Sequence, residues 1–314
     1  MEIYDYTHQS EYFNSKILQR YLGGMRLGVF DIETLGLYPK YNPMILAGIM
    51  GVEPDGICHV RQLFAETSKA EEERLLLAEL ENELSNFDCI LTYNGRYFDI
   101  PYVYERASKL GFDDYCIRPF NLDLLLFLRH YSSLRDTIGS LRQKNIERYM
   151  GLAPSRDDEI SGGESVLLYK EFEKCRDEIQ KDALREKILL HNHDDLLQLY
   201  KIFPVILQTD IHAAMNRLGF PIKGENGWPN LHVKSIKVTA GALSASGTYC
   251  GPQLSFCACS TPDMPYNCTF APDRSFAIEL PVRGLKAQLT NPMEINELTQ
   301  ALLVRFMRDN PLNA

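Results

Sequence analysis

An apolar segment that ends in two acids is the sequence feature that most constrains this chain. Residues 28–36 have the sequence GVFDIETLG, so a run typical of a buried strand places Asp31 and Glu33 two positions apart. Side chains at positions i and i+2 of a strand project from the same face, where two carboxylates repel each other. The pattern therefore fits either a solvated strand end or one half of a divalent-metal site.

The composition is that of an ordinary globular protein. The 314 residues contain 45% hydrophobic and 24% charged side chains, enough for one large domain or two smaller ones. The apolar run at 44–50 is too short to span a bilayer, and the first residues lack the basic and apolar regions of a signal peptide. We therefore expect a cytoplasmic protein without a membrane partner, whose eight cysteines are reduced.

The net charge of −9 counts against a nucleic-acid partner, but its distribution weakens that argument. Residues 210–314 contain nine Lys or Arg and eight Asp or Glu, a net charge of +1. Residues 1–209 therefore contain 24 basic and 34 acidic side chains, a net charge of −10. Acids that bind metal would be neutralised, so the charge does not exclude nucleic acid.

The order of the predicted elements favours an α/β fold with a mixed sheet flanked by helices. Three strands come first, at 27–33, 43–52 and 56–66. A helix at 68–87, a strand at 89–95 and several helices follow, among them one at 134–149 and one at about 176–207.

A segment rich in Gly and Pro at 218–230 predicts a domain boundary. Beyond it, short strand-like runs and a helix that starts after Asn291 indicate a small α+β domain. We therefore predict an N-terminal arm at 1–25, a main domain at 26–210 and a C-terminal α+β domain at 211–314. Substrate binding, partner docking and covering of an apolar sheet face all remain open as the role of this last domain.

Two further acids lie where a site next to the first strand would need them. Asp99 follows the Asn-Gly turn of YNGRYFD and begins a helix, so capping alone would explain it. Asp195 falls on the core-facing stripe of a late helix, where an acid is costly unless it is paired or binds metal. His191 lies one turn earlier on this stripe, whereas His193 and Asp194 fall off it and are expected in solvent.

These residues carry a resemblance to the DEDD exonucleases of the ribonuclease H fold and, more narrowly, to their YprB-like group. The similar runs follow one another over residues 26–207: FDIETLGL, YNGRYFDIPYV, LDLLLFLRHY, LRDTIGSLRQKNIERYMGL, RDDEISGGESVLLYKEF and HNHDDLLQL. The resemblance implies a ribonuclease H-like exonuclease domain at 26–210. It also implies 3′–5′ exonuclease activity on nucleic acid, with DNA favoured over RNA and single strands favoured.

The resemblance further implies which residues perform the chemistry. Asp31, Glu33, Asp99 and Asp195 would bind two divalent ions, Mg²⁺ or Mn²⁺, about 3.5–4 Å apart, as two-metal phosphodiester hydrolysis requires. Oxygen ligands suit these ions. The superfamily places a Tyr or a His before its last acid. Here the spacing is that of the tyrosine type but the residue is His191, which would orient the attacking water.

Four residues near the acids are the candidate substrate contacts: Thr34, Asn94, Arg96 and Tyr97. Arg96 suits a substrate phosphate or, equally, an ordinary surface position, and Tyr97 suits stacking on a terminal base. Four basic residues on one predicted helix could form a phosphate track, although such a charge density more often marks a solvated helix face: Arg135, Arg142, Lys144 and Arg148. Asp123 fits a helix cap better than a metal ligand.

Other functions remain open at this stage. A structure-selective endonuclease or an RNase would use the same fold and acids. A nucleic-acid binding or scaffold protein without turnover is the alternative outside the enzymes, and the presence of all four acids counts against it.

Overall fold

The segment that carries Asp31 and Glu33 is the second strand of a six-stranded sheet. The computed structural model describes residues 1–152, 160, 162–239, 241–261, 264–282 and 289–312. The chain divides into two units, one made of Met1–Phe13 with Arg26–Gln208 and the other of Asn14–Met25 with Thr209–Ala314. Residues 1–25, expected to form one arm, are thus divided between the units.

The first unit contains a mixed sheet with the strand order β1-β4-β3-β2-β5-β6. Its strands are β1 Glu2–Gln9, β2 Leu27–Thr34, β3 Met44–Val52, β4 Ile57–Phe64, β5 Cys89–Thr92 and β6 Phe120–Asp123. Strands β1 to β4 pair antiparallel, whereas β2, β5 and β6 run parallel. Because the carboxyl ends of parallel strands meet at one sheet edge, the ends of these three strands lie close together.

Helices cover both faces of this sheet. They are α2 Ala70–Leu84, α3 Asp99–Lys109, α4 Leu124–Tyr131, α5 Leu134–Ile138, α6 Gln143–Tyr149, α7 Gly162–Phe172 and α8 Glu178–Ile202. Phe30 and Ile32 of β2 belong to the core that α2 and α3 complete. Since side chains alternate along a strand, Asp31 and Glu33 face the opposite side, where α8 packs.

The predicted mixed α/β architecture is confirmed, but two predicted helices end earlier than expected. The helix expected at 134–149 is divided into α5 and α6 at Gly139, whose φ of 77° is the left-handed conformation that ends helices. Helix α8 ends at Ile202, and a 3₁₀ segment continues over Phe203–Gln208. Pro204 lacks the N–H that a continuing helix would need.

The second unit contains a separate antiparallel sheet with the order β10-β11-β12-β9-β8-β7. Its strands are β7 Phe220–Ile222, β8 Asn230–Val238, β9 Ala242–Cys250, β10 Phe256–Thr261, β11 Met264–Phe270 and β12 Ser275–Pro281. Its helices are α1 Lys16–Leu22, α9 Ile211–Leu218 and α10 Pro292–Asp309. Asn291 caps α10 by accepting a hydrogen bond from the backbone of Met293, at 3.0 Å. No described helix is both long and apolar enough to cross a bilayer.

Candidate active site

The two acids of β2 lie at the sheet edge where the parallel strands end. Asp31 pairs with Gly48 of β3, and the register of the two strands shifts between Glu33 and Thr34. Such a β-bulge bends the strand and redirects its side chains, and bulges are common next to active sites. The acids therefore project from the face that α8 covers.

Helix α8 contributes a histidine and a third acid to this place. His191 Nε2 lies 3.6 Å from Glu33 Oε1 and 3.6 Å from Asp195 Oδ2. Each of the three side chains offers one ligand atom, and these atoms lie within 4.8 Å of one another. The spacing i, i+4 brings His191 and Asp195 to one side of the helix, so this part of the site follows directly from the sequence.

A cleft of about 1010 Å³ contains these groups. Asp31, Glu33, His191 and Asp195 line it, together with Thr34. The other wall residues include three basic side chains and two apolar ones: Arg142, Lys144, Arg148, Leu37 and Phe98. A polynucleotide has the features that such a cleft would contact, because it combines negative phosphates with apolar base faces.

Burial and mutual repulsion make the carboxylates reluctant to ionise. Burial raises the pKa of Asp31 well above its usual range, and the charges of Asp99 and Asp195 add to the rise. Burial likewise raises the pKa of Glu33 to about 7, although His191 favours its charged form. A cation among these groups would relieve the repulsion.

Asp99 completes the acidic group from the first turn of α3. Its side chain is buried, with 4% of its surface exposed, and its charge acts on both Asp31 and Glu33. Burial raises the pKa of Asp99 to about 7, opposed by hydrogen bonding with the backbone of Ile32. The oxygens of these four carboxylates suit a hard divalent cation such as Mg²⁺ or Mn²⁺, and the imidazole of His191 lies beside them.

A chain of buried amides orients Asp31, and sequence reasoning missed it. Asn192 Nδ2 donates to Asp31 Oδ2 at 2.9 Å. Gln62 Nε2 donates to Asn192 Oδ1 at 2.8 Å and to the carbonyl of Leu189 at 2.9 Å. Both donors of Gln62 are thus used, which fixes the amide of Asn192 with its N–H toward the carboxylate.

Gly48 provides the space for this amide chain. A Cβ at Gly48 would lie 2.1 Å from Asn192 Oδ1, a distance that no side chain tolerates. The signals in the sequence were a glycine inside an apolar strand and two polar residues, Gln62 and Asn192, at positions that are fully buried. Neither signal identifies its partner without the strand register.

Asp123 is a cap, as predicted, and it also shapes the loop after β5. Its side chain accepts a hydrogen bond from Leu126 at the start of α4, at 3.4 Å. Its two oxygens also accept from the backbone N–H groups of Asn94 and Arg96, both at 3.0 Å. These bonds hold Asn94 in the left-handed conformation, with a φ of 70°.

The candidate substrate contacts fall in different places. Thr34 lines the cleft, and its hydroxyl donates to the carbonyl of Gly36 at 2.9 Å. Asn94 lines a neighbouring pocket instead. Arg96 and Tyr97 are exposed, and neither is among the described residues that line the cleft.

Two residues expected in solvent are wholly or partly buried, so that expectation is wrong. Asp194 has only 2% of its surface exposed. The Nε2 of His193 lies 2.7 Å from the Nε2 of His8, which belongs to β1. The sequence did not indicate that β1 would pair with β4 and cover this side of α8.

The four predicted basic residues divide between the cleft and the neighbouring pocket. Arg142, Lys144 and Arg148 line the cleft, whereas Arg135 lines the pocket beside it. Lys144 Nζ donates to the carbonyl of Ile160 at 3.0 Å. The break between α5 and α6 therefore separates Arg135 from the other three basic residues, which a single helix would have carried together.

Comparison with known proteins identifies a family and a number of similar solved structures. A family model described as the RNase_H superfamily matches residues 29–206, more than half of the chain. No curated protein matches this chain. Among solved structures, the family B DNA polymerase from the hyperthermophilic archaeon Pyrobaculum calidifontis is similar, with 15% identity and a TM-score of 0.45. The match covers 91% of this chain and 42% of the polymerase chain, so this chain spans less than half of that protein.

Proposed function

The chain belongs to the RNase_H superfamily, and on that premise we propose that its first unit is a metal-dependent nuclease that hydrolyses phosphodiester bonds of nucleic acid. The observation that carries the proposal is the cluster of buried and half-buried acids at a cleft that also contains basic side chains. A buried group of like charges is unfavourable by itself, so its presence indicates a cationic ligand.

Asp31, Glu33, Asp99 and Asp195 are the residues that would hold the divalent ions. When bound, Mg²⁺ or Mn²⁺ supplies Lewis acidity and neutralises the charge that develops in phosphodiester hydrolysis. Asn192 donates to Asp31 Oδ2 and so holds the Asp31 carboxylate in one orientation. This carboxylate is therefore oriented before any metal ion binds.

His191 is the group that orients the attacking water and accepts its proton. Its Nε2 lies between a carboxylate oxygen of Glu33 and one of Asp195, so a water held by these acids lies within its reach. An imidazole has an unperturbed pKa of about 6.5 and is suited to general-base catalysis near neutral pH.

Arg142 and Arg148 in the cleft wall bind the phosphates of the substrate strand, and Leu37 and Phe98 contact its bases. The 3′–5′ direction, the preference for single-stranded DNA and the assignment to the YprB-like group belong to the proposal through the sequence resemblance. On this account the enzyme shortens a strand from its 3′ end.

A nuclease assay tests the proposal directly. Single- and double-stranded DNA and RNA, labelled at the 5′ or the 3′ end, are incubated with the protein in Mg²⁺, Mn²⁺ or EDTA. We expect stepwise shortening of 5′-labelled single-stranded DNA in Mg²⁺ or Mn²⁺ and none in EDTA. Cleavage at internal positions would indicate an endonuclease and not an exonuclease. Preferential degradation of RNA would indicate an RNase. Absence of cleavage in every metal would contradict nuclease activity.

A further inference from the structure

A second pocket adjoins the cleft, and three arginines line it. The pocket has a volume of about 560 Å³. Arg129 comes from the last turn of α4, Arg135 from α5 and Arg142 from the position before α6. No Asp or Glu is among the described residues that line this pocket.

The three guanidinium groups bring three positive charges to this pocket. Within the described part of the chain, none of them forms an ion pair, although residues 1–209 have a net charge of −10. The nearby Asp123 is occupied, because its oxygens accept the backbone hydrogen bonds from Asn94 and Arg96. Gathering positive charge in this pocket of an acidic unit creates a local potential that attracts anions.

The pocket and the cleft share part of their walls. Ser140, Arg142 and Gln143 line both. The side chain of Gln143 also donates to the backbone carbonyl of Asp195, at 3.2 Å, which ties the shared wall to the helix that carries His191 and Asp195. A ligand that reaches from one pocket to the other would therefore pass along this shared wall.

An aromatic residue lies beside the arginines. Tyr93 lines the pocket, and its hydroxyl donates a hydrogen bond to the carbonyl of Leu141, which fixes the ring. Guanidinium groups bind phosphate through charge-assisted hydrogen bonds, and aromatic rings stack on nucleobases. Phosphate-binding and base-binding groups are thus present side by side.

We propose that this pocket is a phosphate-binding subsite that holds the substrate strand away from the bond that is cut. The proposal rests on the proposed nuclease function and deepens it, because it makes the enzyme recognise a strand of several nucleotides. Arg129 and Arg135 bind the backbone of any base sequence, since phosphate contacts carry no sequence information.

Strand binding by the full chain tests the subsite without requiring activity. Fluorescently labelled single-stranded DNA of about eight nucleotides is titrated with protein in EDTA, at several salt concentrations. We expect Arg129→Ala combined with Arg135→Ala to weaken binding about tenfold and to make the dependence of log affinity on log salt shallower by about one unit. The exposed Arg176, which lines neither pocket, provides the matched control Arg176→Ala and should bind like wild type.

Two outcomes would overturn the subsite. One is equal affinity and equal salt dependence in the double variant and the Arg176→Ala control. The other is loss of inorganic phosphate or mononucleotide binding with unchanged strand binding, which would make the pocket a site for free anions. The conservative pair Arg129→Gln with Arg135→Gln repeats the measurement if the alanine pair unfolds. Because binding is measured in EDTA, a result for the subsite stands even if the wild-type protein cleaves nothing.

Discussion

Two groups of buried charges in the first unit are organised in opposite ways. Glu73 of α2 and Arg106 of α3 form an ion pair, with Arg106 Nε donating to Glu73 Oε1 at 2.7 Å. The same oxygen accepts the backbone N–H of Met44 at 2.9 Å, and Arg106 donates to the carbonyl of Pro39 at 2.7 Å. This pair is neutralised and hydrogen-bonded within the protein.

In the cleft, by contrast, acids face one another and share the imidazole of His191. Asp31, Glu33 and Asp99 all have a raised pKa because burial and neighbouring acids oppose their ionisation. His191 is the basic side chain that faces Glu33. One group is therefore a charge pair neutralised within the protein, and the other is a group of acids that, on our proposal, a divalent cation neutralises.

Removal of a site acid should give the largest effect. Asp31→Asn and Asp99→Asn are each expected to abolish cleavage, since each removes a proposed metal ligand. Neither should lower the melting temperature in EDTA, because loss of one charge relieves repulsion among the others. Cleavage assays and thermal unfolding check this, with the exposed Glu71→Gln as the control acid. Full activity of either asparagine variant would refute the proposed ligand set.

Loss of the histidine should follow in size. His191→Ala is expected to reduce kcat by about 10²–10⁴-fold with a modest change in metal affinity, because a general base contributes that much to the rate. His191→Tyr should retain more activity than His191→Ala, since a tyrosine at this spacing also positions water in the resembled family. His59, exposed on β4, is a cleaner control than His193, which contacts His8. If His191→Ala and His59→Ala have equal kcat, His191 has no catalytic role.

Breaking the ion pair between Glu73 and Arg106 should lower the stability of the protein without changing its turnover number. Glu73→Gln is expected to lower the free energy of unfolding by about 3–5 kcal/mol, because it leaves Arg106 buried without its charge partner. The folded fraction should keep its turnover number, since Glu73 is not among the described residues that line the cleft. Denaturant unfolding and active-fraction kinetics measure the two effects. A Glu73→Gln protein that is stable but inactive would show that this ion pair serves catalysis and not stability.

The amide that orients Asp31 should give a smaller effect. Asn192→Ala is expected to reduce metal affinity or activity about 10–100-fold, as loss of groups that hold metal ligands usually does. Gly48→Ala should act in the same direction by displacing Asn192, whereas Gly51→Ala, with its nearest contact at 3.3 Å, is the milder control on the same strand. Metal titration distinguishes a positioning role from general destabilisation. If a folded Asn192→Ala protein binds metal with wild-type affinity, Asn192 does not position Asp31 for metal binding.

The sequence predicted the elements that have a strong local pattern. The apolar strands β2 and β3 and the i, i+4 pair His191 and Asp195 depend on periodicity, which the structure preserves. Prediction from the sequence failed for β1, because its exposed and partly charged side chains show no alternation of buried and exposed positions. It also failed for Gln62 and Asn192, because their hydrogen bonds join positions about 130 residues apart. Such contacts follow from strand register and not from local composition.

Calorimetric titration of Mn²⁺ measures whether the acids of the cleft form a divalent-metal site. Since Glu33 and Asp99 have a pKa of about 7, binding at about pH 6 should release protons, and affinity should rise toward about pH 9, where little release remains. Buffers of different ionisation enthalpy measure that release. We predict binding in the wild-type and Glu71→Gln proteins and markedly weakened binding in Asp99→Asn. Equal Mn²⁺ affinity in all three proteins, or no binding to the wild type, would contradict the account.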